Sequence, residues 1–173
     1  MFYKLLIIIL FTLNANALEP VKFASIDKFS GLWYEIARTP NFYQESCVAS
    51  SVEYVLQEDN TYNIYNRCFE NEIGGKLIEY SGVGKTASKN KKSISKIDMT
   101  YFWIFTKRYN IVYIDQDYKN AVVSDEDKKN IWIMSRIPKM KKEKLDFILE
   151  KLKAHIDLNR LIFTKQDKQG RYK

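Results

Sequence analysis

From residue 31 onward, apolar and polar positions alternate in short runs. Such runs predict half-buried β-strands over residues 31–39, 47–56, 61–69, 76–86, 93–99, 109–114, 121–124 and 131–136. The punctuation between them is turn chemistry. Pro40-Asn41 ends the first run, and Gln57-Glu58-Asp59-Asn60 separates the second from the third. Gly74-Gly75, the basic stretch 87–92, DQDYK at 115–119 and the charged stretch 125–130 separate the others. Gly82 and Gly84 are expected to let the fourth strand bend, as at a barrel corner. Residues 101–105 (YFWIF) are apolar at every position, so period alone assigns them no element. Eight short strands at this spacing predict an all-β barrel or sandwich.

After Pro138 the period changes. Over residues 141–156, Leu145, Ile148, Leu149, Leu152 and Ile156 fall on one helical face, with lysines mostly opposite. This amphipathic helix is expected to pack on the barrel wall, and lying on a membrane surface is the alternative. Residues 160–166 carry a short final strand around Leu161-Ile162-Phe163, and a loose polar tail runs on to Lys173. Ahead of the first strand, Phe23, Ile26 and Phe29 suit a helical turn closing one end.

Residues 1–17 read differently. Lys4 precedes an apolar run from Leu5 to Leu13, broken only by Thr12, and Ala15-Asn16-Ala17 has the small-x-small pattern of a cleavage site. This predicts a secretory signal peptide ahead of one domain at 18–173, with an uncleaved anchor as the alternative. No Cys follows the run, so a lipid-attachment residue is missing. Export to an oxidising compartment favours pairing Cys47 with Cys68, two buried free thiols being the alternative. The hairpin brings them together at the end away from its turn.

Threading the eight strands up and down makes a geometric prediction. Gly31 and Trp33 at the start of the first strand, Asp117-Tyr118 in the sixth turn and Arg136 at the end of the eighth strand all meet at one end. There a guanidinium can cover the Trp face and donate to carbonyls, plugging a floor.

These residues carry a resemblance. The G-x-W opening (Gly31-Leu32-Trp33, extended as YEIAR), the segment YIDQDYKNA at 113–121 and the lone Arg136 after WIMS are similar, in order and spacing, to the three motifs of the lipocalin family. The bacterial outer-membrane type is the nearest resemblance, and it covers about residues 20–166. It implies an eight-stranded antiparallel up-and-down β-barrel over about 31–136, a helix on its side, and an internal cup for a hydrophobic ligand. Related bacterial proteins are lipoproteins. Without the lipidation Cys, a soluble periplasmic or cell-envelope protein is the expectation here.

In that geometry the opposite end is the mouth. Phe42 and Tyr43 in the first loop, Tyr101, Phe102 and Trp103 in the apolar segment, and the disulfide all fall there. Counting by two from Trp33 puts Glu35 and Ala37 inside, and Glu35 would then need a partner or a ligand group. Tyr54, Tyr65, Tyr80 and Tyr113 are further wall candidates whose faces the alternation does not fix. Packing of the aromatics onto the loops is the alternative.

Composition adds little to this. Aromatics are plentiful, with 12 Tyr, 10 Phe and 3 Trp, which suits strands and a lined pocket. The formal charge is +7, but the lysines spread over turns and the late helix, which argues against nucleic acid as a partner. The single His155 stands on the late helix with no metal-ligand spacing, and no catalytic triad, phosphate loop or metal motif is found. The expectation is therefore a carrier without cofactor or metal, binding a fatty acid or lysophospholipid. It could touch the envelope membrane peripherally, as a monomer or dimer. The alternatives are a lipocalin-fold enzyme acting on a lipid or isoprenoid, and an envelope interaction module.

Overall fold

A computed structural model describes residues 18–167. The predicted leader at 1–17 lies outside the described residues, as does the tail from 168. The strands are β1 (Gly31–Arg38), β2 (Cys47–Leu56), β3 (Thr61–Glu70), β4 (Leu77–Thr86), β5 (Lys96–Tyr101), β6 (Phe105–Ile114), β7 (Asn120–Asp125) and β8 (Ile131–Ser135). Each pairs antiparallel with the next, and β1 pairs with both β2 and β8, which closes the barrel. The helix α2 (Lys142–Leu152) is shorter than expected. A two-residue strand β9 (Ile162–Phe163) pairs with Ala37 and Arg38 of β1. Among the described residues, no helix is long and apolar enough to cross a membrane.

Two packed layers hold the structure. Inside the barrel, Trp33, Tyr54, Tyr62, Ile64, Ile97, Met99, Ile111, Val123 and Met134 form one buried cluster. Outside it, Ile148 and Leu152 of α2 pack on Ile36, Ala37, Val122, Ile131 and Ile133. The amphipathic face thus covers the barrel wall, as its period predicts.

The apolar run at 101–105 is a hairpin tip rather than a buried strand. Tyr101 ends β5, Phe105 opens β6, and Phe102 and Trp103 turn the chain with φ of 51° and 67°. No Gly or Asn marks this turn, so the sequence carries no signal for it. β6 also starts earlier than its alternation suggests.

The two turns flanking β7 are chemically the same. In DQDYKN, one oxygen of Asp115 accepts the N–H groups of Lys119 and Asn120, while the other accepts the Asn120 amide. In DEDKKN, Asp125 does the same with Lys129 and Asn130. The fourth residue of each, Tyr118 or Lys128, takes positive φ.

Candidate functional site

The lower end of the barrel is a packed floor. The short helix α1 (Ile26–Phe29) is capped by Ser25 and brings Phe29 to 4.8 Å from Trp33, centre to centre. Phe23 does not join this helix and is exposed. The Trp33 N–H donates to the Phe29 carbonyl at 2.8 Å. Arg136 lies over the Trp33 ring at 3.8 Å and donates to the carbonyls of Lys28, Phe29, Ser30, Leu32 and Tyr118. Burial pulls this guanidinium down to about 10, against the opposing influence of Tyr62 and Tyr54, so it stays charged at neutral pH. Gly31 sits beneath it with φ of 96°, where a Cβ would come within 3.3 Å of an Arg136 nitrogen. Asp117 belongs to the same end but points to solvent, beside Lys119.

Tyr54 faces inward, yet it belongs to this floor and not to a cup. It packs edge-on against Phe29 and Tyr62 and is fully enclosed. Burial pushes its hydroxyl well up.

Higher up, β1 changes neighbours. It pairs with β2 only over Gly31–Tyr34, and β9 takes the place of β2 at Ala37 and Arg38. A buried polar network fills the split. Glu35 accepts from Arg38 at 2.8 Å, from the Gln44 amide at 2.7 Å and from the Thr164 hydroxyl. Arg38 also donates to the Gln44 carbonyl, and Gln166 bridges the carbonyls of Glu35 and Ser50. Glu35 therefore faces in, as the alternation predicts, and is paired within the protein. A buried carboxylate held by a guanidinium and two further donors needs no ligand.

The same counting fails for Ala37, and Tyr113, a wall candidate of unassigned face, proves to lie outside. A bulge between Glu35 and Ala37 puts Ile36 and Ala37 both outside, against α2, and returns Arg38 to the interior. A second register shift between Ile111 and Tyr113 turns Tyr113 outward onto Phe147. Each bulge inserts one residue and reverses the parity beyond it. Tyr65 also faces out, opposite to Ile64 and on the side of Arg67, whose guanidinium lies 5.1 Å from its ring centre. These three residues do not line the interior.

The upper interior is walled by half-buried aromatics. Tyr101 is placed there as expected, and its hydroxyl accepts from the Asn66 amide at 3.0 Å. Burial raises its pKa, partly offset by that bond. Tyr80 lies opposite Asn66 in register and so shares its inward face. Tyr109 and Trp132 stand 5.8 Å apart, and the Trp132 N–H donates to Gln44. Burial raises the Tyr109 hydroxyl, with Tyr101, Asp125 and Tyr43 adding to it. Lys107 closes this rim with a 2.8 Å ion pair to Asp125. Tyr109, Trp132, Asn66 and Lys107 were not among the sequence candidates. The alternation in YNIVYI does favour Tyr109 and Ile111 on one face, and that signal could have found Tyr109.

Around the rim stand two exposed aromatic tips. One is the 3-10 turn Phe42–Gln44, with Phe42 and Tyr43 in edge contact. The other is the β5–β6 tip, where Phe102 packs edge-on to Tyr80 at 6.2 Å. The Cys47–Cys68 disulfide joins β2 to β3 at this end, with its Cα atoms 5.4 Å apart. Among the described residues, no three His, Cys, Asp or Glu side chains gather as a metal site.

Comparison with known proteins agrees with this arrangement. The temperature-induced lipocalin-1 of Arabidopsis thaliana is 29% identical over 159 residues, which is 86% of this chain and 83% of that protein. The outer membrane lipoprotein Blc of Vibrio cholerae is 27% identical over 154 residues, covering 87% of this chain and 88% of its own. Insecticyanin from the tobacco hornworm Manduca sexta shares the fold with a TM-score of 0.71 at 21% identity, over 88% of this chain and 86% of that one. The family model described as a lipocalin-like domain matches residues 24–166. With that match running from the floor helix through the barrel to the strand that seals its seam, the chain belongs to the lipocalin family.

Proposed function

We propose that this protein is an exported carrier that binds a single-chain lipid, a fatty acid or lysophospholipid, through the mouth of the barrel. The lipocalin family supports binding of a small hydrophobic ligand. The observation that carries the reading is the contrast between the two ends. The lower interior is packed solid by Trp33, Tyr54 and Tyr62, whereas Tyr80, Tyr101, Tyr109 and Trp132 line the upper interior and stay partly exposed. An acyl chain laid against them would leave water at about 0.8 kcal/mol per methylene. Asn66 at the rim gives one amide N–H to Tyr101 and has a second to offer a carboxylate or phosphate head group. The raised tyrosines stay neutral at physiological pH and serve as apolar walls with hydroxyl edges.

Similarity to outer-membrane lipoproteins supports a place in the cell envelope, periplasmic and soluble if the leader is cleaved. Native mass spectrometry of gently purified protein tests the reading. A co-purifying single-chain lipid is expected, displaced by a fluorescent fatty acid. An empty barrel that takes up no probe at concentrations on the order of 10 µM overturns it.

A further inference from the structure

The feature that lipid binding inside the barrel leaves unexplained is the outside of its rim. Phe102, Trp103, Ile104 and Phe105 follow one another at the β5–β6 tip, and all four are exposed, Trp103 to 95%. Phe42 and Tyr43 are exposed on the second tip, Phe42 to 82%. The first tip is built to hold Phe102, Trp103 and Ile104 beyond the barrel end, while Phe105 shares the inner face with its register partner Tyr101. The Ile104 N–H closes the turn on the Tyr101 carbonyl, and the hydroxyls of Thr100 and Thr106 bond at 2.8 Å just beneath it. Two consecutive residues hold positive φ without being Gly or Asn, which is an uncommon conformation for bulky residues.

We propose that these two tips dock the mouth onto the surface of a phospholipid bilayer, with Trp103 and Phe42 entering the headgroup–acyl boundary. Three observations favour a bilayer over a protein partner or a second copy. First, an aromatic side chain offers roughly 150–250 Å². The β5–β6 tip thus presents on the order of 500 Å², and neither tip by itself reaches the roughly 800 Å² per partner of a standard protein interface. Second, the apolar surface is divided between two projecting tips. A deformable interface can meet both, and Trp and Tyr are the residues enriched at that depth. Third, the cations nearest the tip are already engaged, Lys107 by Asp125 and Arg108 by Asp98. Docking is therefore driven by apolar burial and needs no anionic lipid.

The inference rests on the carrier reading for its purpose and extends it. Phe102 touches Tyr80, so the patch is continuous with the inner wall. A lipid could pass from bilayer to barrel without crossing water.

Flotation of the full chain with vesicles of pure phosphatidylcholine tests it, at low salt and at about 1 M salt, where the screening length is about 3 Å. Wild type is expected to float at both. The double variant Trp103→Ser, Phe42→Ser, one change on each tip, is expected to lose roughly tenfold or more of the bound fraction. Phe147→Ser, an exposed aromatic on α2, is expected to change nothing. A double variant that floats like wild type overturns the proposal. So does wild type that fails to float, or floats only at low salt as a chain of charge +7 adsorbing electrostatically. A thermal melt checks that the double variant is folded. Titration with a fluorescent fatty acid, without vesicles, separates the two readings. Probe binding retained where flotation fails leaves the carrier standing without docking. Flotation of protein that binds no probe leaves docking without the carrier.

Discussion

A Cβ placed on Gly82 would lie 2.8 Å from Cδ1 of Tyr101, so the inward ring of β5 occupies side-chain space that β4 leaves empty. Gly84 does the same for Ile64 and Ile97. The pairing of β4 with β3 runs without a register shift through both positions, and neither glycine has positive φ. Both glycines thus leave room for side chains of the neighbouring strands.

The Cβ on Gly82 would also meet the Thr100 carbonyl oxygen at 2.7 Å, so Gly82→Ala is expected to push on both the β5 backbone and the Tyr101 ring and to destabilise the barrel by about 1–3 kcal/mol. Urea denaturation measures the loss. The same variant should shift binding of a fluorescent fatty acid, because Tyr101 walls the upper interior.

Binding should also separate the inner and outer tyrosines. Tyr109→Ala is expected to weaken a fluorescent fatty acid by roughly tenfold, the burial of one large side chain being worth about 1.5–3 kcal/mol. Tyr65→Ala and Tyr113→Ala, on the outer surface, should leave the affinity unchanged in the same titration.

Arg136→Ala removes a cation over Trp33 and takes the guanidinium donor from five carbonyls, of which that of Phe29 keeps the Trp33 N–H. A loss of about 3 kcal/mol or more is expected in urea denaturation. Arg136→Lys should recover part of it, since a single ammonium keeps the charge but cannot span the five oxygens.

Much of this was legible in advance. The Cys47–Cys68 hairpin and the meeting of Arg136 with Trp33 follow from alternation and up-and-down threading, because both depend on which end of a strand a residue occupies. Faces are harder than ends. Parity carries from Trp33 to Glu35 and then breaks at a bulge that no residue type announces, which misplaced Ala37. A second register shift sets the face of Tyr113, which the alternation leaves open. The β5–β6 turn was hidden because Phe102 and Trp103 are strand-formers held in turn geometry by the strands below them. Glu35 was readable as needing a partner. That Thr164 would help to supply it was not, since no residue at 160–166 announces where the final strand lands.

The disulfide should be worth about 3 kcal/mol through loop closure, with Cys47 and Cys68 separated by 21 positions. Thermal melts with and without reductant, or of the pair Cys47→Ser and Cys68→Ser, measure it. Loss of the rim geometry at β2–β3 should accompany it and is read as faster amide exchange near Glu70.

Asp125 gives the stability a pH signature. Burial pushes its carboxyl up, but Lys107 and the Asn130 backbone and side chain outweigh that and hold it below the ordinary 3.8. The unfolded chain therefore takes up this proton first as pH falls. The stabilisation is fully present above the ordinary value and is lost as pH drops through the lower, folded one. Asp125→Asn should thus be less stable than wild type at neutral pH, with the gap narrowing below about pH 4. Chemical denaturation across that range checks it.

The seam at β1 has a consequence for biogenesis. The first strand made is the last to be satisfied. Its upper half is completed by β8, by the Thr164 amide on the Ile36 carbonyl, and by Gln166 on the Glu35 carbonyl. A nascent chain that has emerged only as far as residue 130 holds an open sheet, with β1 and β7 as raw edges. Closure must wait for the final 40 or so residues, and such non-local pairing is slow. The interval between emergence of β7 and arrival of the tail is the period in which this protein is most exposed to aggregation.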